Sequence, residues 1–211
     1  MLRDDAVTRI QDGLGFASRQ SDKIILRLQE AQRELERGKT LPKFLRQILQ
    51  PLIFLSGVNI VALPTRFLRI DDEFKPFILT PEKSVTHVPI VRAYTDAVDT
   101  YYKDGEATGP KALVVLNTTI TIVNAADQDY TIYWQYYKGA EVLTTNIENE
   151  WLASAPDWLI GEAGWRMAMD SRDKDAVTIF DNLRKTGRLA VFGEIVASEE
   201  ASGPLVMGAN F

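Results

Sequence analysis

Few residues in this chain are spaced to do chemistry. His87 is the only histidine, and with Ser84 and Glu82 close by in sequence the reaction to consider is attack by a hydroxyl served by a base and an acid. No nucleophile motif surrounds them, so His87 reads as a structural histidine. Paired carboxylates are the other option, since glycoside hydrolysis needs only two of them roughly 5 to 10 Å apart. Glu148 with Glu150, or Asp170 with Asp173, offers that pairing, which makes a cell-wall hydrolase the alternative reading. Nothing in the sequence sets their acidities apart, and acids near helix starts are common for dipole reasons alone. The triplet Asp71, Asp72, Glu73 looks like a metal set, but on a strand neighbouring side chains point to opposite faces and do not converge. The absence of cysteine excludes a disulfide framework, a thiolate metal site and a cysteine nucleophile.

Aromatic residues are the remaining candidates. Tyr133, Trp134 and Tyr137 could form a platform for a small molecule or peptide, although aromatic strand residues usually serve as core and cross-strand pairs. Trp158 and Trp165 stand two helical turns apart on one face. They read as cover for a core edge, because the convergent polar groups of a ligand site are missing.

The elements that position these residues follow from periodicity. Pro156 suits the first position of a helix, where its missing N–H costs nothing, and Asp157 complements the positive helix end. Leu159, Ala163 and Met167, with Ile160 and Ala168 alongside, then make a buried stripe. Two helical patterns are joined between Asp170 and Asp175. The second runs through Ala176, Phe180 and Leu183 and resumes through Leu189, Phe192 and Ile195, with a break expected near Gly187. Near the N-terminus, Ala6, Val7 and Ile10 predict a short helix ending at Gly13 or Gly15. Ile24, Leu28, Ala31 and Leu35 predict a helix over 22–37, with Ser21 and Asp22 as caps and Gly38 as terminator. Its other side carries Arg27, Glu30, Arg33, Glu34 and Arg37, a charged face that is either solvated or turned to a partner.

Between the helical ends the period changes. Pro51–Leu55 and Asn59–Leu63 read as a β-hairpin turning at Ser56-Gly57, followed by a proline-opened helical turn at 64–67 and a strand over 68–74. Residues 75–110 hold four of the nine prolines and read as loop-rich with short helical or extended pieces. Segments 111–116, 119–123 and 130–137 are rich in Val, Ile, Thr, Tyr and Trp and predict a three-stranded antiparallel meander. The expected class is therefore α+β. Residues 1–47 and 145–201 make a helical bundle, 48–144 an inserted antiparallel β lobe, and 202–211 an extended C-terminal tail. In that tail Leu205, Val206, Met207 and Phe211 follow a Gly-Pro break, so they either pack on their own domain or dock on another chain.

Composition sets outer limits. The 211 residues, 45% hydrophobic and 25% charged, suffice for one substantial core, or for one core with an inserted lobe. A net charge of −5 argues against general nucleic-acid affinity. Residues 1–47 carry ten Lys/Arg against seven Asp/Glu, and residues 145–211 six against eleven, a weak hint of head-to-tail contact between copies. The apolar runs are far short of the ~20 residues needed to span a bilayer. The charged, amphipathic start does not read as a signal peptide, so synthesis in the cytosol is expected.

The order helices, β-insert, helices resembles the head-to-tail adaptor (connector) proteins of short-tailed bacteriophages. The resemblance rests on Asn146 to Ile160, with Trp151-Leu152 and Ala155-Pro156-Asp157 before the helix. Tyr136-Tyr137 at a strand end and ALPTRFLRID at 62–71 also match in kind, whereas the turn at Asn124 to Asp127 departs from the pattern. The resemblance implies a structural virion protein without enzymatic activity, cofactor or metal. It implies a ring, typically a dodecamer, in the neck of the virion and made in the host cytoplasm. The ring would join the portal protein to the tail nozzle or tail fibre protein, with double-stranded DNA passing through it without specific binding and with no membrane contact. A negative balance suits such a conduit, because a basic lumen would hold phosphates. The resemblance further implies that the tail, with Leu205, Val206, Met207 and Phe211, reaches the portal. Arg27, Glu30, Glu34, Arg37, Trp158 and Trp165 are then the candidates for contacts between subunits.

Overall fold

The structure, a computed structural model, describes residues 1–15, 20–79, 85–101 and 109–201. In chain order its elements are α1 (Arg3–Leu14), α2 (Ser21–Glu36), a 3₁₀ turn (Lys43–Leu45), β1 (Arg46–Phe54), β2 (Ile60–Ala62) and β3 (Phe67–Ile70). Then come β4 (Phe77–Leu79), β5 (Val85–His87), β6 (Ile90–Val91), α3 (Tyr94–Tyr101), β7 (Leu113–Val115), β8 (Thr119–Ile122) and β9 (Tyr130–Lys138). The chain closes with α4 (Glu150–Ser154), α5 (Pro156–Ser171) and α6 (Lys174–Ala201). This is an α+β protein of two compact units, one made of Met1–Leu45 and the chain from Ala140 on, the other of Arg46–Gly139.

In the helical unit α1, α2 and α5 bury the stripes their spacing dictates. Ala6, Val7, Ile10 and Leu14 of α1 are buried, as are Ile24, Leu28 and Ala31 of α2. Gly15 closes α1 at φ 63°, the left-handed conformation that glycine adopts without a Cβ penalty. Helix α2 begins at Ser21, itself one of the expected caps, with Gln20 at the N-cap position and no side-chain cap bond. Pro156 does open α5, and Leu159, Ile160, Ala163, Met167 and Ala168 are buried along it.

Contrary to expectation, α6 does not break at Gly187 but runs as one 28-residue helix, about 42 Å at 1.5 Å per residue. A Cβ on Gly187 would lie 2.4 Å from the backbone nitrogen of Trp158, so glycine there lets α6 approach the first turn of α5. The expected buried stripe also fails at Leu189, which is 72% exposed.

The β unit has two sheets. One runs β1-β9-β4-β5, with β3 also paired to β9; the other runs β2-β8-β7-β6 and is antiparallel except where β6 meets β7. Leu52, Phe54, Ile78, Ile132 and Trp134 of the first share one core with Leu113, Ile120 and Ile122 of the second.

Four local expectations are corrected here. Residues 51–63 form strands but not a hairpin: β1 pairs with β9 and β2 with β8, in different sheets. The connector crosses between sheets, Gly57 donating to the Ala126 carbonyl at 2.7 Å, so both strands bury an inward face against the shared core. The meander is likewise split, because the link from β8 to β9 crosses to the other sheet and buries Ala126. Residues 64–67 form a turn with Arg66 at φ 61°, outside the right-handed helical region. Strand β3 ends at Ile70, before the acidic triplet. Asp71 is buried and paired with Arg46 at 3.2 Å.

Candidate interface surfaces

The charged face of α2 is the first surface the sequence singles out. Positions 27, 30 and 34 follow helical spacing beside the buried stripe, and α2 packs on α5, so these side chains border that contact. Arg27 bonds Glu30 at 2.5 Å and Asp170 at 2.7 Å, and Lys23 lies 3.5 Å from Asp170. Arg166 of α5 holds both Glu34 oxygens, one of them at 2.9 Å, and Glu162 at 2.9 Å. Arg184 of α6 reaches Glu162 at 3.4 Å and Asp181 at 2.8 Å, and its guanidinium sits 4.2 Å from the centroid of the Trp165 ring.

The electrostatics follow the contacts. Hydrogen bonds donated to Glu30 and then to Asp170 hold the Arg27 guanidinium above its usual range, and the bond from Arg27 holds Asp170 below the usual carboxylate range. Arg166 does the same to Glu34. Exposed pairs of this kind contribute little each, so they act as orientation at the edge of the helix contact.

The subunit-interface candidates lie in different surroundings. Arg27, Glu30 and Glu34 are engaged within their own unit, and Arg37 is exposed beyond the end of α2. Trp158 is buried between Trp151 and Phe192, with centroid distances of 5.5 Å to each. Trp165 is half-buried under Arg184. The portal-binding candidates Leu205, Val206, Met207 and Phe211 lie outside the described residues.

A buried polar cluster that the sequence reading missed fixes the point where the chain returns to the helical unit. One Glu36 oxygen accepts from Trp151 Nε1 at 3.0 Å, the Ala140 N–H at 3.0 Å and Gln32 Nε2 at 3.1 Å. Asn149 caps α4 by accepting from the Leu152 N–H at 3.0 Å, and donates to Gln32 at 3.1 Å and to the Glu141 carbonyl at 2.7 Å. The available signal was Asn149 directly before Glu150-Trp151-Leu152, an asparagine at an N-cap position. Residues 144–147 are tied to α1: Arg3 donates to the Thr144 carbonyl at 2.7 Å and Asn146 accepts from the Asp4 N–H at 3.1 Å.

The carboxylates considered for hydrolysis have structural partners. Glu148 meets the N-terminal amine, and Glu150 accepts from the Glu141 N–H at 3.2 Å. Asp170 pairs with Arg27 and Lys23, and Asp173 caps α6 by accepting from the N–H groups of Asp175 and Ala176. His87 is exposed on β5, its ring edge-on to Phe77. Among the described residues no group of three or more His, Cys, Asp or Glu could hold a metal ion, and no helix is long and apolar enough to cross a membrane. No protein-family model matches the chain, and no curated protein matches it in sequence.

Proposed function

We propose that this chain is a head-to-tail adaptor of a short-tailed bacteriophage, a structural protein that forms a ring, typically of twelve copies, in the virion neck. In this reading two helical segments and the β unit between them form one subunit. The ring joins the portal to the tail nozzle or tail fibre protein, and DNA passes through without being bound specifically. The observation that carries the proposal is three large apolar side chains left exposed on the last two helices, Met169, Ile179 and Leu189, at 52%, 55% and 72%. Side chains of this kind are available for contacts between chains. The resemblance in element order and in residues 146–160 supplies the identity of those contacts.

The C-terminal tail is the proposed portal anchor. Fully burying one of its large apolar side chains contributes ~1.5 to 3 kcal/mol, so even two per copy repeated around a ring hold firmly. Deletion of residues 203–211 is expected to leave the melting temperature of the isolated protein nearly unchanged and to abolish binding to portal rings in a pull-down. A much lower melting temperature, or undiminished binding, overturns the assignment of the tail.

A further inference from the structure

Where the chain leaves one sheet of the β unit for the other, between β5 and β6, it forms a wall of a cleft of about 750 Å³, a size that suits a ligand or a few residues of peptide. Local bonds build that wall. Asp71, held by Arg46, accepts from the Phe74 N–H through its carbonyl at 3.2 Å and from the Glu73 N–H through Oδ1 at 3.3 Å, which fixes the turn after β3 and so the start of the 74–76 segment. The Val88 N–H donates to the Pro76 carbonyl and the Leu113 N–H to the Pro89 carbonyl, both at 2.8 Å, tying the link to both sheets. Val88 is buried in the core the sheets share, and Ile70, Ile90 and Val115 pack against that core. The floor of the cleft is therefore the core's own edge, in place before anything binds.

Among the described residues that line the cleft, Lys75 and Arg92 are cationic and Asp72 alone is anionic. Both cations are exposed, and neither forms an ion pair with a described residue. This local excess of positive charge occurs in a chain of net charge −5. The lining also includes a sheet edge, because β6 is the last strand of its sheet. Ile90 pairs with Leu113 in parallel register, and the bond from Leu113 to Pro89 means that residues 89 and 91 carry the bonds to β7. The N–H and C=O of Ile90 therefore point away from β7, and they have no backbone partner among the described residues.

We propose that this cleft binds an extended acidic segment of another protein. The segment pairs with the β6 edge at Ile90, seats a bulky apolar side chain on Ile70, Phe74 and Ile90, and sets its carboxylates against Lys75 and Arg92. In strand addition, main-chain bonds give affinity and pockets for alternate side chains give specificity. Each feature selects a different part of the ligand: the open edge a peptide backbone, the apolar floor a large side chain, the unpaired cations an acidic sequence. A nucleic acid fits less well, because two cations neutralise few phosphates. The adaptor reading does not depend on this site, so either can fail alone.

The probe is the acetylated peptide Asp-Glu-Phe-Asp-Glu, titrated into the full chain and followed by amide chemical shifts. Binding at about 10 µM to 1 mM is expected, with shifts centred on Lys75, Ile90, Arg92 and Val115. Added salt should weaken it, since exposed charges are screened beyond ~10 Å at 0.1 M. Lys75→Glu with Arg92→Glu, both at exposed positions, should weaken binding by about tenfold or more, and Asp72→Asn should strengthen it about twofold. Circular dichroism should be unchanged in each. The same peptide with Lys at every acid should not bind, and methylation of the Phe backbone nitrogen and its neighbours should weaken the acidic peptide by removing main-chain donors. No binding of the acidic peptide, equal binding of the lysine peptide, shifts confined to other surfaces, or binding that the charge reversals leave unchanged overturns the proposal. Equal binding of the methylated peptide overturns it too, since the cleft then takes a compact anion and not a strand.

Discussion

Trp151→Ala is expected to lower the stability of the helical unit by about 3–5 kcal/mol, the range for deleting a fully buried aromatic side chain. Trp151 has no exposed surface. Its ring meets Phe44 edge-on at 5.2 Å and Trp158 edge-on at 5.5 Å, so removal opens a cavity bordered by two rings that cannot both close on it. It also strips one of three donors from Glu36, leaving a part-buried carboxylate less satisfied. Trp151→Phe weighs the two effects differently, because it loses the indole N–H while keeping much of the ring volume. That change should cost about 1–3 kcal/mol, the penalty of one unmade bond to a charged group. Urea unfolding measures both through the shift in midpoint at constant slope. Equal losses for the two variants would mean that packing around Trp151 contributes nothing beyond the hydrogen bond.

Gly161→Ala and Gly187→Ala are expected to destabilise the same unit by about 1–3 kcal/mol or more, the cost of forcing extra volume into a packed contact. The sign is the point, since alanine inside an exposed helix is worth about 1 kcal/mol over glycine. A Cβ on Gly161 would stand 2.4 Å from the Arg184 nitrogen and 2.7 Å from its Cα, and one on Gly187 2.4 Å from the Trp158 nitrogen. These neighbours are backbone and cannot swing aside, so α5 and α6 would have to separate. Gly193→Ala is the control on the same helix. Nothing lies within 4 Å of its added Cβ, and thermal unfolding should show it neutral or slightly more stable. Gains at all three positions would mean that α5 and α6 do not pack as closely as described.

The glycine result also marks where the sequence was legible and where it was not. Stripes at helical spacing placed α2 and α5 to within a residue or two, because one buried face is a property of a single segment. Gly187 was misread because its meaning lies in the partner helix: in isolation it is a poor helix former, against Trp158 it is a necessity. The strands of the β unit were visible as runs of Val, Ile and Thr, but a period of two does not say which strand pairs with which. The two links between sheets were therefore read as hairpins. Phe77, Leu79, Val85 and His87 lay within a proline-rich stretch read as loop-rich with short helical or extended pieces, so the pairing of β4 with β5 and β9 could not be seen. On α2 the charges read as a face either solvated or turned to a partner, while Asp170 and Arg166, more than a hundred positions away, pair with Arg27 and Glu34.

The adaptor proposal is tested most directly by the mass of the purified chain, measured with and without portal rings of the same phage. The account predicts a complex in which many copies of the chain, twelve in the typical case, load onto each portal ring. A chain that leaves the mass of the portal ring unchanged at concentrations well above those of the ring contradicts it.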